Sequence, residues 1–247
     1  MAVTATEAIV LQSFPYGETS RIVRLLTRSA GVHSAIAKGA LRPRSRYAAL
    51  EPFAEGGASL YIRPTRELQT LSGFDLTRSR HGLGRDLIRF GGASLLAELV
   101  MRTASEDPHE GLFDAVSTGL DRLVAAGPDD LEATVLAVAW HAVALMGFAP
   151  ELGACIVCGT VIAPDLDAAF DHAAGGMRCA ACATGLPGHR IPARARAAIG
   201  SFSRGEPVAV GVTTGHWRLL TRYLEHHLLE GAPLRSLNFI ATSLSMG

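Results

Sequence analysis

The first third of the chain alternates apolar and polar positions with a period of two, whereas the remainder repeats its apolar positions every three to four residues. The first pattern predicts half-buried strands and the second predicts amphipathic helices. Strand signals run over Glu7–Phe14, Ser20–Thr27, Gly31–Ala37, Ala54–Ile62 and Glu67–Phe74. In the third, Val32, Ser34 and Ile36 share one face and His33, Ala35 and Ala37 share the other. A turn at Arg28-Ser29-Ala30-Gly31 joins the second and third as a hairpin. Five such short strands predict a small closed barrel, with an OB-fold as the leading candidate and an SH3-like barrel as its nearest competitor.

The helical part begins at His81–Thr103, where Leu83, Leu87, Phe90, Leu95, Leu96 and Leu99 repeat at helical spacing. A break is expected at Gly91-Gly92. A second helix covers Pro108–Ala126 and stops at Gly127-Pro128. Ala133–Ala149 is then free of Asp, Glu, Lys and Arg. Its length falls short of the roughly 20 residues a bilayer span needs, so a buried core helix is expected and no membrane partner. Two further helices are expected at Pro192–Ser203 and Thr213–Glu230, the latter with Trp217, Leu220, Leu224 and Leu228 on one face. The expected class is therefore α+β: an OB-fold β-barrel over residues 1–78, followed by an all-α helical domain over 79–247. A cysteine-bearing knuckle interrupts the latter at about 151–188.

Composition sharpens this picture in two places. A hydrophobic content of 48% over 247 residues supports a sizeable core and excludes a disordered chain. Net charge is zero, yet residues 1–78 hold ten Lys+Arg against six Asp+Glu, and residues 79–247 hold thirteen against seventeen. The front third is mildly basic and the rest mildly acidic. The opening MAVTATEAIV has no basic region and carries Glu7 before any apolar run, so no secretory signal is read and a cytoplasmic location is expected.

All four cysteines fall into two Cys-x-x-Cys pairs, Cys155/Cys158 and Cys179/Cys182, with twenty residues between them. Each pair puts two thiolates on one side of a tight loop, and two such loops supply the four sulfurs of a tetrahedral Zn²⁺ site. Gly159, Gly175 and Gly176 flank the pairs and suit turns with positive φ. Four sulfurs leave no position for a catalytic water, so one structural zinc per chain is expected. His172 lies between the pairs and is expected as an exposed loop residue. Adjacent His226 and His227 on a helix point about 100° apart and do not chelate together, so one is expected buried and one exposed.

Lys38, Arg42, Arg44 and Arg46 fall within nine residues, with no acid between Glu18 and Glu51. Arginine forks pair with phosphates, and Tyr47, which ends the run, offers a ring to stack on a base. A weaker cluster contains Arg194 and Arg196. No G-x-x-x-x-G-K-[ST] or His-Glu-x-x-His motif accompanies these cations, and neither an enzyme nor a small-molecule substrate is read.

Three segments together resemble the bacterial RecO family of recombination mediators. They are AIVLQSFPYGETSRIVRLLTRSAGVHSAIAKGALRPRSR, LMGFAPELGACIVCG and TRYLEHHLLEGAPLRSLNFI. The resemblance implies an OB-fold, a helical C-terminal domain with a zinc knuckle, and a non-enzymatic role in recombinational repair. It further implies binding of single- and double-stranded DNA and annealing of complementary strands. With RecR as partner, such proteins help load RecA onto strands covered by single-stranded-DNA-binding protein. Some members lack the four cysteines, so the metal expectation rests on this sequence. The competing readings are a zinc-knuckle protein–protein interaction module without direct DNA binding, and a thiol oxidoreductase built on the cysteine pairs.

Overall fold

Strand β1 (Thr4–Tyr16) changes the face it buries part-way along. Val10 pairs with Leu25 of β2 (Ser20–Thr27), but Gln12 pairs with the next residue, Arg24, so Leu11 is a bulge. Such an insertion flips the side-chain alternation and increases local twist. Strands β3 (Gly31–Ala37), β4 (Glu55–Tyr61) and β5 (Leu68–Arg78) complete a closed barrel in the order β1-β2-β3-β5-β4. All pairs are antiparallel except β3 with β5. This is the OB-like arrangement that the strand count suggested. Ala8, Val10, Val23, Leu25, Ala35, Ala58, Leu60, Leu71 and Phe74 fill its interior. The computed structural model describes residues 3–45, 47, 50–103, 106–184, 190–208, 211, 214–228 and 233–245.

A single 3₁₀ turn at His81–Arg85 leads into α1 (Leu87–Thr103), which packs against β1, and then α2 (Glu110–Ala125). The break expected at Gly91-Gly92 does not occur. Both glycines are buried inside a continuous α1, so packing overrides their low helix propensity.

Helix α3 (Leu131–Val143) ends in a π-helical turn at Ala144–Phe148, where Gly147 takes φ 89°. Only Glu132 and His141 of α3 are not buried. Leu131–Phe148 is long and apolar enough to cross a membrane by length and composition, but here it is a core helix under α4 (Ala193–Ser203) and α5 (Thr214–His227). Trp140 of α3 lies 5.1 Å from Tyr223 of α5, ring to ring. The ends of the fifth expected helix, Thr213 and Glu230, lie outside the described residues.

Two features were not anticipated. A small antiparallel sheet, β6 (Ala168–Asp171), β7 (Gly176–Arg178) and β8 (Arg190–Ile191), forms in the order β7-β6-β8. A further helix, α6, covers Arg235–Ser245. The chain divides into two compact units, residues 1–125 and 126–247, with α1 and α2 in the first.

Candidate metal centre and nucleic-acid interface

The first cysteine turn is closed by backbone geometry. Ala154 bridges Val161, the Cys155 N–H donates to the Thr160 carbonyl at 2.8 Å, and the Gly159 N–H donates back to the Cys155 carbonyl at 2.8 Å. Gly159 takes φ 72° there, which a residue without Cβ adopts at little cost. The second turn follows β7, and the Ala183 N–H donates to the Cys179 carbonyl at 2.9 Å. The two turns are held together by Ile156 N–H to Met177 O and Met177 N–H to Glu151 O, each at 2.9 Å.

Gly175 has the positive φ that a tight turn needs, at 74°. Gly176 is glycine for a different reason. A Cβ there would sit 2.4 Å from Ile156 Cγ2 and 3.0 Å from the Glu151 carbonyl oxygen. Close approach of the two cysteine turns therefore excludes any side chain at 176.

The four sulfurs all lie within 4.8 Å of one another, an arrangement that can hold a metal ion. Cys158 Sγ is 3.8 Å from Cys179 Sγ. A tetrahedral zinc with Zn–S bonds of about 2.3 Å separates its sulfurs by about 3.8 Å, so the cluster has the dimensions of such a site. Cys155 is buried, Cys179 and Cys182 are half-buried and Cys158 is exposed. The backbone N–H of Cys179 lowers the Cys155 thiol to about 6. Thr160, with Oγ1 3.2 Å from Cys158 Sγ, holds Cys158 below the usual thiol range. Side-chain hydrogen bonding with Cys179 and Cys158 pushes Cys182 up to about 12.

Among the described residues no histidine joins the sulfurs. His172 is half-buried rather than exposed, its ring 5.2 Å from that of Phe170, and burial lowers its pKa. Its backbone carbonyl lies 2.8 Å from His227 Nε2. His226 is exposed and His227 half-buried, because the turn after β6 places that carbonyl against His227 of α5.

On the barrel, Lys38, Arg42 and Arg44 are exposed in the loop after β3. Arg46 lies outside the described residues. The loop is tied down on one side where the Leu41 N–H donates to the Thr19 carbonyl in the β1–β2 turn at 2.9 Å. Gly39 (φ 76°) and Arg44 (φ 60°) take left-handed backbone. Strain at a non-glycine residue such as Arg44 persists only where surrounding bonds hold it.

Tyr47 corrects the sequence reading. It is 4% exposed, it packs in the barrel core, and its hydroxyl donates to the Leu71 carbonyl at 2.7 Å. Its ring is not available to stack on a base; it is the anchor that pins the far end of the cationic loop. Arg196 is a second correction. It is 5% exposed on α4 and donates from Nη2 to the Ala163 carbonyl, so it braces the knuckle. Arg194 on the same helix is exposed. Two residues apart on a helix is about 200°, which explains the split between them.

Two family descriptions match consecutive parts of the chain. The family described as recombination protein O, N-terminal, matches residues 1–80, and recombination protein O, C-terminal, matches residues 84–238. The DNA repair protein RecO of Anaeromyxobacter dehalogenans is 35% identical over 89% of this chain and 89% of its own length. That of a Nocardioides species is 32% identical over 95% of this chain and 97% of its own. That of Rubrobacter xylanophilus is 34% identical over 78% and 76%. With both halves matched in order and relatives this similar across their lengths, the chain belongs to the RecO family of DNA repair proteins.

Proposed function

We propose that this protein is a recombination mediator that binds single- and double-stranded DNA, anneals complementary strands and, with RecR, promotes loading of RecA onto DNA covered by single-stranded-DNA-binding protein. It acts in the cytoplasm on the nucleoid and breaks no covalent bond. Residues 1–78 are the DNA-binding module, and residues 79–247 are a helical domain stabilised by one zinc at Cys155, Cys158, Cys179 and Cys182. The observation that carries this reading is the exposure of Lys38, Arg42 and Arg44 on a loop fixed at both ends to an OB-like barrel. Arg46 completes the cationic set of the loop, and exposed Arg194 is a separate candidate contact within the second unit. Two strands repel one another, and a surface that neutralises phosphates on both lowers the barrier to pairing, driven by counterion release.

The test is a salt titration on matched single- and double-stranded oligonucleotides, with an annealing assay beside it. About four to six phosphate contacts give a log–log slope of about −3 to −4 on single strands. Joint replacement of Arg42, Arg44 and Arg46 by Glu is expected to abolish most of the binding. Unchanged affinity in that variant removes the loop as the site.

A protein-docking role for the knuckle has its own support, since Val157, Val161 and Leu166 expose 57%, 78% and 54% of their surface there. Partner capture that resists DNase, without any shift of bare oligonucleotide, favours that reading over the DNA one.

A further inference from the structure

Strand pairing places five outward side chains in one row across the barrel. Phe14 of β1 pairs with Ile22 of β2, Ile22 pairs with Ile36 of β3, Ile36 pairs with Thr70 of β5, and Thr70 pairs with Tyr61 of β4. The residues next to these in sequence, Val23, Ala35, Ala37, Leu71 and Leu60, are buried in the barrel core, so the row lies on the outer face. Phe14 and Tyr61 stand at its two ends, 39% and 36% exposed, with Ile22, Ile36 and Thr70 half-buried between them. The bulge at Leu11 is what brings Phe14 out. Without it, the alternation that buries Ala8 and Val10 in the core would turn position 14 inward.

The two ends differ in construction. At the Phe14 end, Tyr16 is also on the outer face, 53% exposed, beside the turn to which the cationic loop is tied. At the Tyr61 end there is a shallow groove lined by Tyr61, Arg63, Arg66, Leu68, Gln69 and Thr70. Buried Gln69 builds the groove wall. Its side-chain oxygen accepts the Arg63 N–H at 2.8 Å, and its amide donates to the Arg63 and Arg66 carbonyls. The Arg63–Arg66 turn is therefore a fixed feature of the surface.

We propose that this row is the platform on which the bases of a single DNA strand lie, while its phosphates run along the flanking cations. The proposal rests on the DNA-binding reading above and adds what it lacks, a contact that distinguishes unpaired bases from duplex. Charge complementarity selects the occupant. Arg24 projects from the adjacent row, where it pairs with Gln12 and Ser34. Lys38 and Arg42 lie past the end of β3, and Arg63 and Arg66 line the groove at the other end. Against these stand exposed Glu18 and Glu67, one in each turn. An apolar and aromatic strip between two cationic margins matches the flat faces and charged backbone of an unpaired strand. Four strand spacings of about 4.8 Å give a path of about 19 Å along the curved sheet, suited to the short end of the roughly 4–16 nucleotides that one such barrel holds.

The experiment uses the full-length protein with three probes: oligothymidylate, an abasic oligonucleotide of equal length, and a duplex. Joint replacement of Phe14→Ala and Tyr61→Ala is expected to weaken oligothymidylate binding about tenfold or more. It leaves the abasic strand, the duplex and the salt slope unchanged, because no phosphate contact is removed. Tyr61→Phe keeps the ring and is expected to bind like the parent. Equal oligothymidylate affinity in the double variant and the parent overturns the platform while the cationic-loop reading stands. Loss of a protein partner instead, with every probe held as before, also overturns it and assigns the row to protein docking. A parent that binds none of the three probes removes the DNA reading and the platform together.

Discussion

Arg80 Nη2 donates to Glu55 Oε2 at 2.7 Å inside the first compact unit, with the arginine side chain only 1% exposed. The same guanidinium reaches the Phe53 carbonyl at 3.0 Å, Ser117 Oγ at 3.0 Å and, through Nε, Asp121 Oδ1 at 2.7 Å. One side chain thus ties β4 to α2, and its charge is both paired and hydrogen-bonded. Removing one partner of such a pair strands the other in a low-dielectric site. Arg80→Ala is expected to destabilise the barrel unit by about 3–5 kcal/mol. Amide exchange in β4 and α2, measured in the full-length protein, checks this. Protection equal to the parent's in both elements would show that the pair is not stabilising.

The barrel was legible because its strands carry their own alternation, and β2 and β3 match their expected bounds. The cysteine cluster was legible because ligand spacing is a local property. The positions misread were those whose role is set by distant partners. Tyr47 looks like the aromatic end of a basic run, yet Leu71, 24 residues away, supplies the carbonyl that draws it inside. Arg196 meets Ala163, 33 residues away. Nothing local marks Glu55, Arg80, Ser117 and Asp121 as one network. The outer row from Phe14 to Tyr61 could not be seen either, because one bulge at Leu11 decides which face carries Phe14. The small sheet β6-β7-β8 has two- to four-residue strands, too short for a periodicity to show.

Tyr47 separates loop anchoring from DNA contact. Tyr47→Phe removes the hydroxyl bonded to Leu71 but keeps the ring volume, at an expected cost of about 1 kcal/mol. Tyr47→Ala empties the core position and is expected to cost about 3–5 kcal/mol. The Phe variant should bind oligonucleotide with the parent's affinity, measured by fluorescence anisotropy. A large affinity loss in Tyr47→Phe with stability unchanged would return this residue to the DNA-contacting set.

Asp171 gives the second unit a defined acid response. Burial alone would raise its carboxyl, but the Ala174 N–H, the Arg178 guanidinium and the Ala173 N–H outweigh that and hold it below its usual range. A carboxyl depressed in the folded state stabilises fully above the unfolded value of about 3.9, and that stabilisation is lost as pH falls through the folded value. Asp171→Asn is therefore expected to be less stable than the parent by about 1.5–3 kcal/mol at neutral pH. The difference should shrink below about pH 4. Trp140 and Trp217 are the only tryptophans and both lie in this unit, so intrinsic fluorescence during urea unfolding reports it. A parent–variant difference that stays constant from neutral pH down to acid would rule out this account.

The cysteine cluster yields the last prediction. Four ionised sulfurs within 4.8 Å of one another repel unless a cation neutralises them, so a bound cation is expected to stabilise the folded knuckle. Purified protein is expected to contain about one zinc per chain, because four sulfurs complete one tetrahedral shell. The thiols are not equally ready: backbone N–H groups lower Cys155, whereas hydrogen bonding with Cys179 and Cys158 raises Cys182. Metal uptake should therefore release protons, and zinc affinity should fall as pH falls. Cys179→Ser and strong chelation are each expected to lower the melting temperature of the second unit. Oligonucleotide binding should be preserved, since the exposed cations of the barrel loop lie in the other unit. Metal analysis by mass spectrometry and a thermal melt followed by tryptophan fluorescence decide the matter. Metal-free protein, with Cys155→Ser and Cys179→Ser melting at the parent's temperature, would show that the four sulfurs converge without a structural ion.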